Sequence, residues 1–506
     1  MPRICYRFLS LVILFCLLAV YLPAQADWPT AQGNFQRTGH SSQEIDQFRL
    51  TKAWSYLHPT HGGAYWSDPV YLNERVFAVF NSFSGAPDDS NRLEAFDLNT
   101  GLPLWSVGLP SVNDAARGTP SAVTVDTTGL GDLADLVYVS TGQPGLGSIR
   151  CYRASDGSQK WSAAAGGRTR YSRPVLVDTT TPKDGSPDLV VWGNENGDVR
   201  AVNAVTGAFV WNTTPDLLYW IFFGPSLSAD DSIIYVGNWD ITGTGHGKVH
   251  ALDSRTGVIL GTFDPLADGA YEDESYPGGV IYINDSNVVA VGYGIDGVTG
   301  RVNVLDRLCN LINQGSVNMT ATFSHSAIYP DPVSGDTLIV SPTEGALAAF
   351  AVNISVRARD IPTIRTTGGG GFRYNFFGSG LPQAPVVISN SPDGVGFAST
   401  STDANDLFMF PATSGSTTNP GFWSKHFDFT DIFPGFNFQG SAIVDSADND
   451  SGIVFVAAEN YGALHAFRHD ILPRARWVNT AAELLLNSPT ELAGTDTDTA
   501  LFVNIG

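Results

Sequence analysis

Carboxylates on glycine-bearing loops are the residues whose types and spacing could bind a metal ion. Three such groups precede apolar segments: Asp126, Asp132 and Asp135; Asp178, Asp184 and Asp188; and Asp445, Asp448 and Asp450. Carboxylates this close together can wrap a hard cation such as calcium. The other interpretation is a polar β-turn, in which aspartate and glycine are favoured for backbone reasons. Because the tight Asp-x-Asp-x-Asp-Gly pattern is missing, the turn is favoured over calcium.

Aromatic residues could provide a second kind of site, one that binds a ligand by contact. They cluster in three segments: Tyr219, Trp220 and Phe222; Phe372, Tyr374 and Phe376, which follow the glycine run 368–371; and Phe436 and Phe438. Each cluster comes shortly before an apolar segment. If these segments meet on one face of the fold, they form a binding surface. The alternative is that the aromatic rings pack against the inner rim of the fold.

Motifs for other chemistry are absent from the sequence. No histidine has a serine or an acid at a spacing that signals a catalytic triad, and no GxSxG motif occurs. No CxxCH or CxxC motif occurs either, which argues against covalent haem and a zinc cluster. We therefore predict no catalytic residue.

Two elements recur along the chain at intervals of about 50 residues. The first is a proline just before an apolar run, at Pro69, Pro120, Pro174, Pro225 and Pro277, where it suits the first residue of a strand. The second is a glycine-containing hairpin followed by an aromatic residue, as in Ala95–Gly101 leading to Trp105. Between the two lie β-branched runs, so each repeat predicts four short antiparallel strands. Such sheets, repeated radially, make a β-propeller. Eight complete units lie between Pro69 and Trp477 and a partial ninth follows, so the count is eight or nine, and we expect eight blades.

The repeat resembles a known family. Pro-Val, an apolar strand and Ala-x-Asp-x-x-Thr-Gly-x-x-x-Trp are similar to the PQQ-type repeat of quinoprotein alcohol dehydrogenases and of the propeller lipoprotein that assists outer-membrane assembly. Residues 27–39 are similar to the leader that opens such propellers, and residues 52–56 to their first, outer strand. The resemblance implies that tryptophans dock between neighbouring blades, and the matching residues are Trp105, Trp161, Trp211, Trp423 and Trp477.

The enzymatic branch of that family implies PQQ and calcium in a central pocket, with an aspartate as general base. The calcium ligands and the base have no recognisable motif here, and the adjacent cysteine pair that many such enzymes carry is missing. We therefore expect no cofactor, and PQQ with calcium remains the alternative. The outer-to-inner connections of a propeller converge on one face, which is where the three aromatic segments should meet.

The start of the chain predicts export. Arg3 and Arg7, an apolar run and Pro23–Ala26 form a signal-peptide pattern over residues 1–26, which leaves residues 27–506 as a single propeller domain. Removing the two arginines leaves 26 of the 28 basic residues against 50 acidic ones, a formal charge of −24. Such a surface disfavours nucleic acid, and no later segment is apolar enough to be transmembrane.

These observations predict a periplasmic or extracellular, monomeric, all-β, eight-bladed propeller. The leading function is non-catalytic binding of a protein, peptide or glycan ligand through loops on one face. One alternative is a divergent PQQ- and calcium-dependent oxidoreductase acting on alcohols or sugars. The other is a calcium-stabilised structural or adhesive module.

Overall fold

The computed structural model describes the strands of the chain and their adjoining turns between residues 29 and 469. The described residues are 29–30, 33–41, 45, 50–58, 68–80, 91–109, 120–126, 133–141, 147–169, 173–177, 187–216, 219–221, 224–240, 247–265, 267, 274–275, 279–285, 287–294, 300–317, 326–330, 337–341, 348–355, 363–365, 373–375, 387–389, 395–399, 406–411, 426–428, 438–443, 453–459 and 463–469. The predicted signal peptide lies outside them.

Within these residues the chain forms 36 strands and no helix. The first eighteen are β1 (Leu50–Leu57), β2 (Val70–Leu72), β3 (Arg75–Phe80), β4 (Asn91–Asp97), β5 (Pro103–Leu109), β6 (Ser121–Asp126), β7 (Leu133–Thr141), β8 (Ser148–Arg153), β9 (Gln159–Ala164), β10 (Val175–Val177), β11 (Leu189–Gly193), β12 (Val199–Asn203), β13 (Phe209–Thr213), β14 (Tyr219–Trp220), β15 (Ser226–Leu227), β16 (Ile233–Gly237), β17 (Trp239–Asp240) and β18 (Val249–Asp253). The others are β19 (Ile259–Phe263), β20 (Glu274–Ser275), β21 (Val280–Asn284), β22 (Asn287–Gly294), β23 (Gly300–Leu305), β24 (Leu311–Val317), β25 (Ala327–Pro330), β26 (Thr337–Ser341), β27 (Ala348–Ser355), β28 (Thr363–Arg365), β29 (Arg373–Asn375), β30 (Val387–Ile388), β31 (Val395–Ser399), β32 (Asp406–Pro411), β33 (His426–Asp428), β34 (Phe438–Ile443), β35 (Ile453–Glu459) and β36 (Ala463–His469). A search of the same residues for a long apolar helix that could cross a membrane finds none.

The strands pair into eight antiparallel blades. In chain order the blades are β2–β5, β6–β9, β10–β13, β15 with β16, β18 and β19, β21–β24, β25–β28, β30–β33, and β34–β36 with β1. Neighbouring inner strands, such as β2 and β6 or β30 and β34, contact each other around a common axis. The predicted all-β propeller of four-stranded antiparallel blades is therefore confirmed, and the described strands make eight such units.

The prolines of the repeat stand immediately before inner strands. Pro69, Pro120, Pro174 and Pro225 directly precede β2, β6, β10 and β15. A proline costs no ladder hydrogen bond at this position, because the strand begins only after it. The proline period therefore marks where each blade starts at the axis.

The ring closes through the front of the chain. Strand β1 pairs with β36, with Trp54 opposite Ala466, and so becomes the outer strand of the eighth blade. Residues 52–56, expected to form an outer strand, lie within it. This pairing joins the first and last described strands of the chain in one sheet.

The hydrophobic core lies between adjacent blades. One cluster joins the first blade to the second through Val70, Phe77 and Val137, and another joins the third to the fourth through Val191 and Ile234. Inner strands such as β2 and β10 are buried along their whole length. The first four sheets are thus covered on both faces by their neighbours, which is why their central strands are continuously apolar.

Strand direction gives the propeller two different faces. On one, which we call the lower face, hairpins join the third strand to the fourth in the first five blades. On the other, the upper face, each outer strand connects to the next inner strand and each second strand connects to the third. Because successive strands are antiparallel, the described parts of the predicted aromatic segments, at 219–221, 373–375 and 438, belong to the upper face.

Candidate functional site

Residues 29–39 of the chain lie across the axis at the upper face. Their carbonyl oxygens accept hydrogen bonds from the backbone of four inner strands: Ala122 N to Pro29 O at 2.8 Å, Leu227 N to Phe35 O at 2.8 Å, Tyr282 N to Gln36 O at 3.1 Å, and Ile328 N to Thr38 O at 2.7 Å. These donors belong to the second, fourth, fifth and sixth blades. The leader segment therefore occupies the centre of the ring and ties several blades together.

Arg37 anchors this axial segment. Its side chain is 1% exposed and donates to the carbonyl oxygens of Arg173 at 2.7 Å and Pro225 at 3.1 Å, and to Thr30 Oγ1 at 2.9 Å. Burial and the nearby charge of Arg173 lower the pKa of Arg37 to about 9, against the opposing effect of Asp68. The guanidinium stays protonated near neutral pH and acts as a hydrogen-bonding hub.

Asp68 is the carboxylate at this axis, and it pairs with arginine. Arg173 Nη2 lies 3.0 Å from Asp68 Oδ2, and both side chains are at most 2% exposed. Burial lowers the pKa of Arg173, while the charge of Asp68 raises it. Among the described residues, this cluster and Arg37 together hold two guanidinium groups and one carboxylate, a positive surplus that repels a divalent cation.

We tested whether these residues fit calcium and PQQ. Calcium takes six to eight oxygen ligands, commonly carboxylates, but the axial carboxylate is paired with arginine. In the part of the chain that the structure describes, no three histidine, cysteine or acidic side chains are grouped to hold a metal ion. The described axial residues therefore do not fit a calcium–quinone pair, and we derive no chemistry through one.

Away from the axis, the upper face carries a small extra sheet with two tryptophans. Strand β14, from the connection between the third and fourth blades, pairs with β17, which follows the second strand of the fourth blade. Trp220 lies opposite Trp239, and the two half-buried indoles meet edge to face with ring centroids 5.7 Å apart. Trp220 belongs to a predicted aromatic cluster, and Trp239 is a new member.

The other predicted aromatic residues are described only in part. Tyr219 begins β14, Tyr374 lies in β29, which pairs with the start of β27, and Phe438 is the first residue of β34. Phe222, Phe372, Phe376 and Phe436 lie outside the described residues. Two of the predicted clusters thus contribute short strands, β14 and β29, beside the upper ends of blades.

A polar network begins at the residue next to Trp239. Asn238 Nδ2 donates to Asp216 Oδ2 at 2.8 Å, and His250 Nε2 lies 2.7 Å from the same oxygen. A carboxylate only accepts, so Nε2 of His250 donates, and Nδ1 lies 3.0 Å from Thr262 Oγ1. Sequence motifs did not predict this contact, because His250 is 34 residues from Asp216.

Lys248 completes the network and links two carboxylates. Its Nζ lies 3.2 Å from Asp264 Oδ2 and 3.6 Å from Asp216 Oδ1. Burial raises the pKa of Asp216, but the hydrogen bond and charge of His250 and the charge of Lys248 outweigh it and lower the pKa overall. Burial lowers the pKa of Lys248, but Asp264 and Asp216 raise it overall. Both groups therefore stay charged at neutral pH.

The histidine and threonine in this network are one example of a recurring cross-strand pair. His250 faces Thr262 across the third and fourth strands, as Glu94 faces Ser106 in the first blade and His465 faces Ser55 in the eighth. Ser55 Oγ and His465 Nδ1 lie 2.8 Å apart. Since the pairing recurs at one register position, it is a structural feature of the blades and not a nucleophile with its base. The contact of His250 with Asp216 is the additional feature of the pair in the fourth blade.

The predicted acidic loops are described at three residues. Asp126 ends β6, Asp135 lies in β7, and Asp188 is buried just before β11. Asp135 accepts from Thr124 Oγ1 at 2.6 Å and from Asn73 Nδ2 at 2.8 Å. Asp132, Asp178, Asp184, Asp445, Asp448 and Asp450 lie outside the described residues.

On the lower face, tryptophans dock each outer strand against the next blade. Their indole N–H groups donate to hairpin carbonyls: Trp54 to Leu98 at 2.8 Å, Trp105 to Ala154 at 2.9 Å, Trp161 to Ala204 at 3.0 Å and Trp211 to Ser254 at 3.2 Å. Each ring packs on the hairpin glycine, as Trp161 does on Gly207. Trp54 from β1 continues the series in the eighth blade, whereas Trp423 and Trp477 lie outside the described residues.

Comparisons with known proteins agree with this architecture. The sequence profile of a family described as outer membrane protein assembly factor BamB matches residues 60–259. No curated protein matches the chain. Among solved structures, europium-containing methanol dehydrogenase is 12% identical, with a TM-score of 0.58, covering 88% of this chain and 98% of that one. BamB from Moraxella catarrhalis is also 12% identical, with a TM-score of 0.51, covering 84% and 99%.

A third structure, Sqt1 from Chaetomium thermophilum, is 11% identical, with a TM-score of 0.53, covering 83% of this chain and 97% of that one. At such low identities these likenesses concern the fold alone. Together with the family profile, they show a PQQ-like repeat arranged as a β-propeller.

Proposed function

We propose that this PQQ-like β-propeller protein is an exported, non-catalytic binding protein that holds a protein, peptide or glycan ligand on its upper face. Residues 1–26 would serve as a signal peptide, and residues 27–506 would form one monomeric propeller domain. The pairing of β1 with β36 supports a single ring. The match to the BamB profile supports export and a protein partner as one ligand class.

The observation that carries the proposal is the contrast between the axis and the rim of the upper face. At the axis the chain fills the ring with its own residues, centred on the buried Arg37. At the rim it adds the strand pair β14 and β17 with two half-buried tryptophans beside a charged network. Aromatic rings next to polar groups are typical of contact sites for ligands.

The test is a binding screen with variants on the two faces. The purified protein is screened against peptide and oligosaccharide libraries together with the double variant Trp220→Ala/Trp239→Ala. A matched control is Leu102→Ser, because Leu102 is 64% exposed on the lower face. We expect the screen to find a ligand that binds to the wild type and to the Leu102→Ser control. The double variant should not bind this ligand. Binding that is equal in all three proteins would place the site elsewhere and contradict the proposal.

A quinone titration tests the oxidoreductase alternative. The protein is titrated with PQQ plus calcium and followed by absorbance and by dye reduction with simple alcohols and aldose sugars. We expect neither saturable binding nor substrate-dependent reduction, because the described axial cluster has a surplus of positive charge around a paired carboxylate. Saturable quinone binding with substrate-dependent dye reduction would overturn the non-catalytic proposal.

A further inference from the structure

We propose that Trp220 and Trp239, with the polar network of Asp216, Asn238 and Lys248, form a binding site for a neutral saccharide. We call these five residues the Trp239 site. The inference rests on the proposed function, because it names the ligand class of the same upper face. The turn between the second and third strands is longer in the fourth blade than in the third, and it carries Asn238, Trp239 and Lys248.

The third and fourth blades close the same turn with loops of different length. In the third blade Asn194 N donates to Asp198 O at 3.0 Å, so that residues 195–197 complete the turn. In the fourth blade the equivalent bond runs from Asn238 N to Lys248 O, also at 3.0 Å, and encloses residues 239–247. The extra length begins with Trp239. Since the short turn of the third blade already closes a blade, closing the fourth blade does not require this extra length.

The polar side chains of the shorter turn are engaged by the backbone of the turn and by neighbouring residues such as Thr214. Asn194 Oδ1 accepts from the backbone N–H groups of Asn196 and Asp198, and Asp198 Oδ1 accepts from Thr214 Oγ1. In the fourth blade, Asp216 from the connection after the third blade and Lys248 from the longer turn meet at Asn238, the residue before Trp239. Their side chains are 18% and 28% exposed, so a ligand lying on the loop can reach both.

The network presents donors and acceptors in close alternation. Asp216 supplies carboxylate oxygens, Asn238 supplies an amide N–H, and Lys248 supplies an ammonium group within 3.6 Å of the carboxylate. A sugar hydroxyl both donates and accepts, so it matches a site in which the two kinds of group are neighbours. Hydrogen bonds to charged groups of this kind are stronger than neutral ones. Trp220 and Trp239 supply the apolar surface for the C–H face of a sugar ring.

Charge selects a neutral ligand over an ionic one. Asp216 and Asp264 are both paired with Lys248, which leaves a local charge of about −1 that opposes an anionic sugar. A cation gains little, because Asp216 already has the contacts of Lys248, Asn238 and His250. Hydroxyl groups join such a network without adding a charge. A neutral oligosaccharide is therefore the ligand that this site fits.

The experiment measures oligosaccharide affinity in the complete exported protein. Neutral glucose, mannose and N-acetylglucosamine oligomers are titrated by calorimetry, with oligogalacturonate as the anionic probe and the peptide library in parallel. We expect a neutral oligomer to bind and Trp239→Ala to weaken it by about tenfold or more, the effect of losing one stacked ring. Trp239→Phe keeps a ring and should lose less. Asp216→Asn should also weaken binding, whereas Leu102→Ser should not.

Each outcome decides between the two proposals. Binding of a neutral oligomer that depends on Trp239 supports the inference. Binding of peptides alone on the upper face, or of oligogalacturonate in preference to neutral oligomers, overturns the saccharide site and leaves the proposed function standing. If no ligand of any class depends on Trp220 or Trp239, both fail. Unchanged thermal unfolding of Trp239→Phe shows that a lost affinity does not come from misfolding.

Discussion

The lower and upper faces of this propeller are built in opposite ways. On the lower face one contact repeats from blade to blade, in which a tryptophan packs on the glycine of the next hairpin and donates to its carbonyl oxygen. On the upper face the described connections differ in length and content, from the short turn at Asn194 to the Trp239 loop. The repeated contact holds the blades together, and the variable connections are free to make a site.

The first way to test this comparison is to remove one tryptophan from each face. Trp161 is 8% exposed and packed between blades, so Trp161→Ala should lower the free energy of unfolding by about 3–5 kcal/mol. Trp239→Ala, on a loop of the upper face, should cost about 1 kcal/mol or less, as for substitutions outside a packed core. Urea unfolding followed by circular dichroism gives both values.

An exposed aromatic residue provides the control on the lower rim. Phe209 is 63% exposed, so Phe209→Ala should change the free energy of unfolding by about 0.5 kcal/mol or less. If Trp161→Ala and Trp239→Ala lower the free energy of unfolding equally, the two faces contribute equally to stability, and the proposed division between them is wrong.

The second test targets the glycine partner of the same contact. Gly207 has φ of +71°, and a Cβ there would lie 2.7 Å from the Trp161 ring. Gly207→Ala should therefore cost about 2–3 kcal/mol through backbone strain and overlap with the ring. The free energy of unfolding is measured for Gly207→Ala and for Gly207→Asn, because asparagine tolerates this backbone conformation better.

A double variant separates the two causes of that loss. If the overlap with the ring dominates, Gly207→Asn is nearly as damaging as Gly207→Ala, and Gly207→Ala costs less in a Trp161→Ala background. Strict additivity of the two substitutions would show that the ring and the glycine do not interact.

How far the sequence predicted the structure follows the same division between faces. The period of about 50 residues predicted the blades, the strand starts and tryptophans at the positions of Trp105, Trp161 and Trp211, because each feature recurs and repetition reveals it. The resemblance to the PQQ-type repeat identified residues 52–56 as an outer strand. These features depend on backbone pairing and core burial, which every blade must satisfy.

The upper-face contacts could not be predicted in this way. Asp216, from the connection between the third and fourth blades, meets His250 of β18 without any local sequence pattern, and Trp239 lies in a loop that is longer than that of the third blade. The axial position of Arg37 likewise depends on closure of the whole ring, since its partners Arg173 and Pro225 are far away in sequence. Such contacts follow from the assembled fold and not from a local pattern.

The third test uses pH to probe the closing seam between the eighth and first blades. Burial raises the pKa of Glu94, but hydrogen bonds from His58, Ser106 and Tyr56 outweigh it and lower the pKa overall. A lowered pKa in the folded state means that the carboxylate stabilises the protein above its unfolded pKa. That contribution is lost as the pH falls through the lower folded value.

Glu94→Gln should remove this dependence. We expect the substitution to cost about 1–3 kcal/mol at pH 7, the range for a buried group that loses charged hydrogen bonds, and to cost less as the solution becomes acidic. The measurement is the free energy of unfolding of both proteins from pH 7 to pH 3. If the difference in the free energy of unfolding between the two proteins is constant across that range, the ionisation of Glu94 does not stabilise the seam.

The smallest expected effect concerns the acidic loops and separates a turn from a calcium site. Asp135 already accepts hydrogen bonds from Thr124 and Asn73, so Asp135→Asn should cost about 1 kcal/mol or less. Because a ligand that binds only the folded state raises the melting temperature, a calcium site would make Tm fall in chelator. We expect Tm in EDTA to equal Tm in calcium for both proteins. A fall in wild type that Asp135→Asn abolishes would instead make the loop a calcium site and add metal binding to the stabilising elements of the ring.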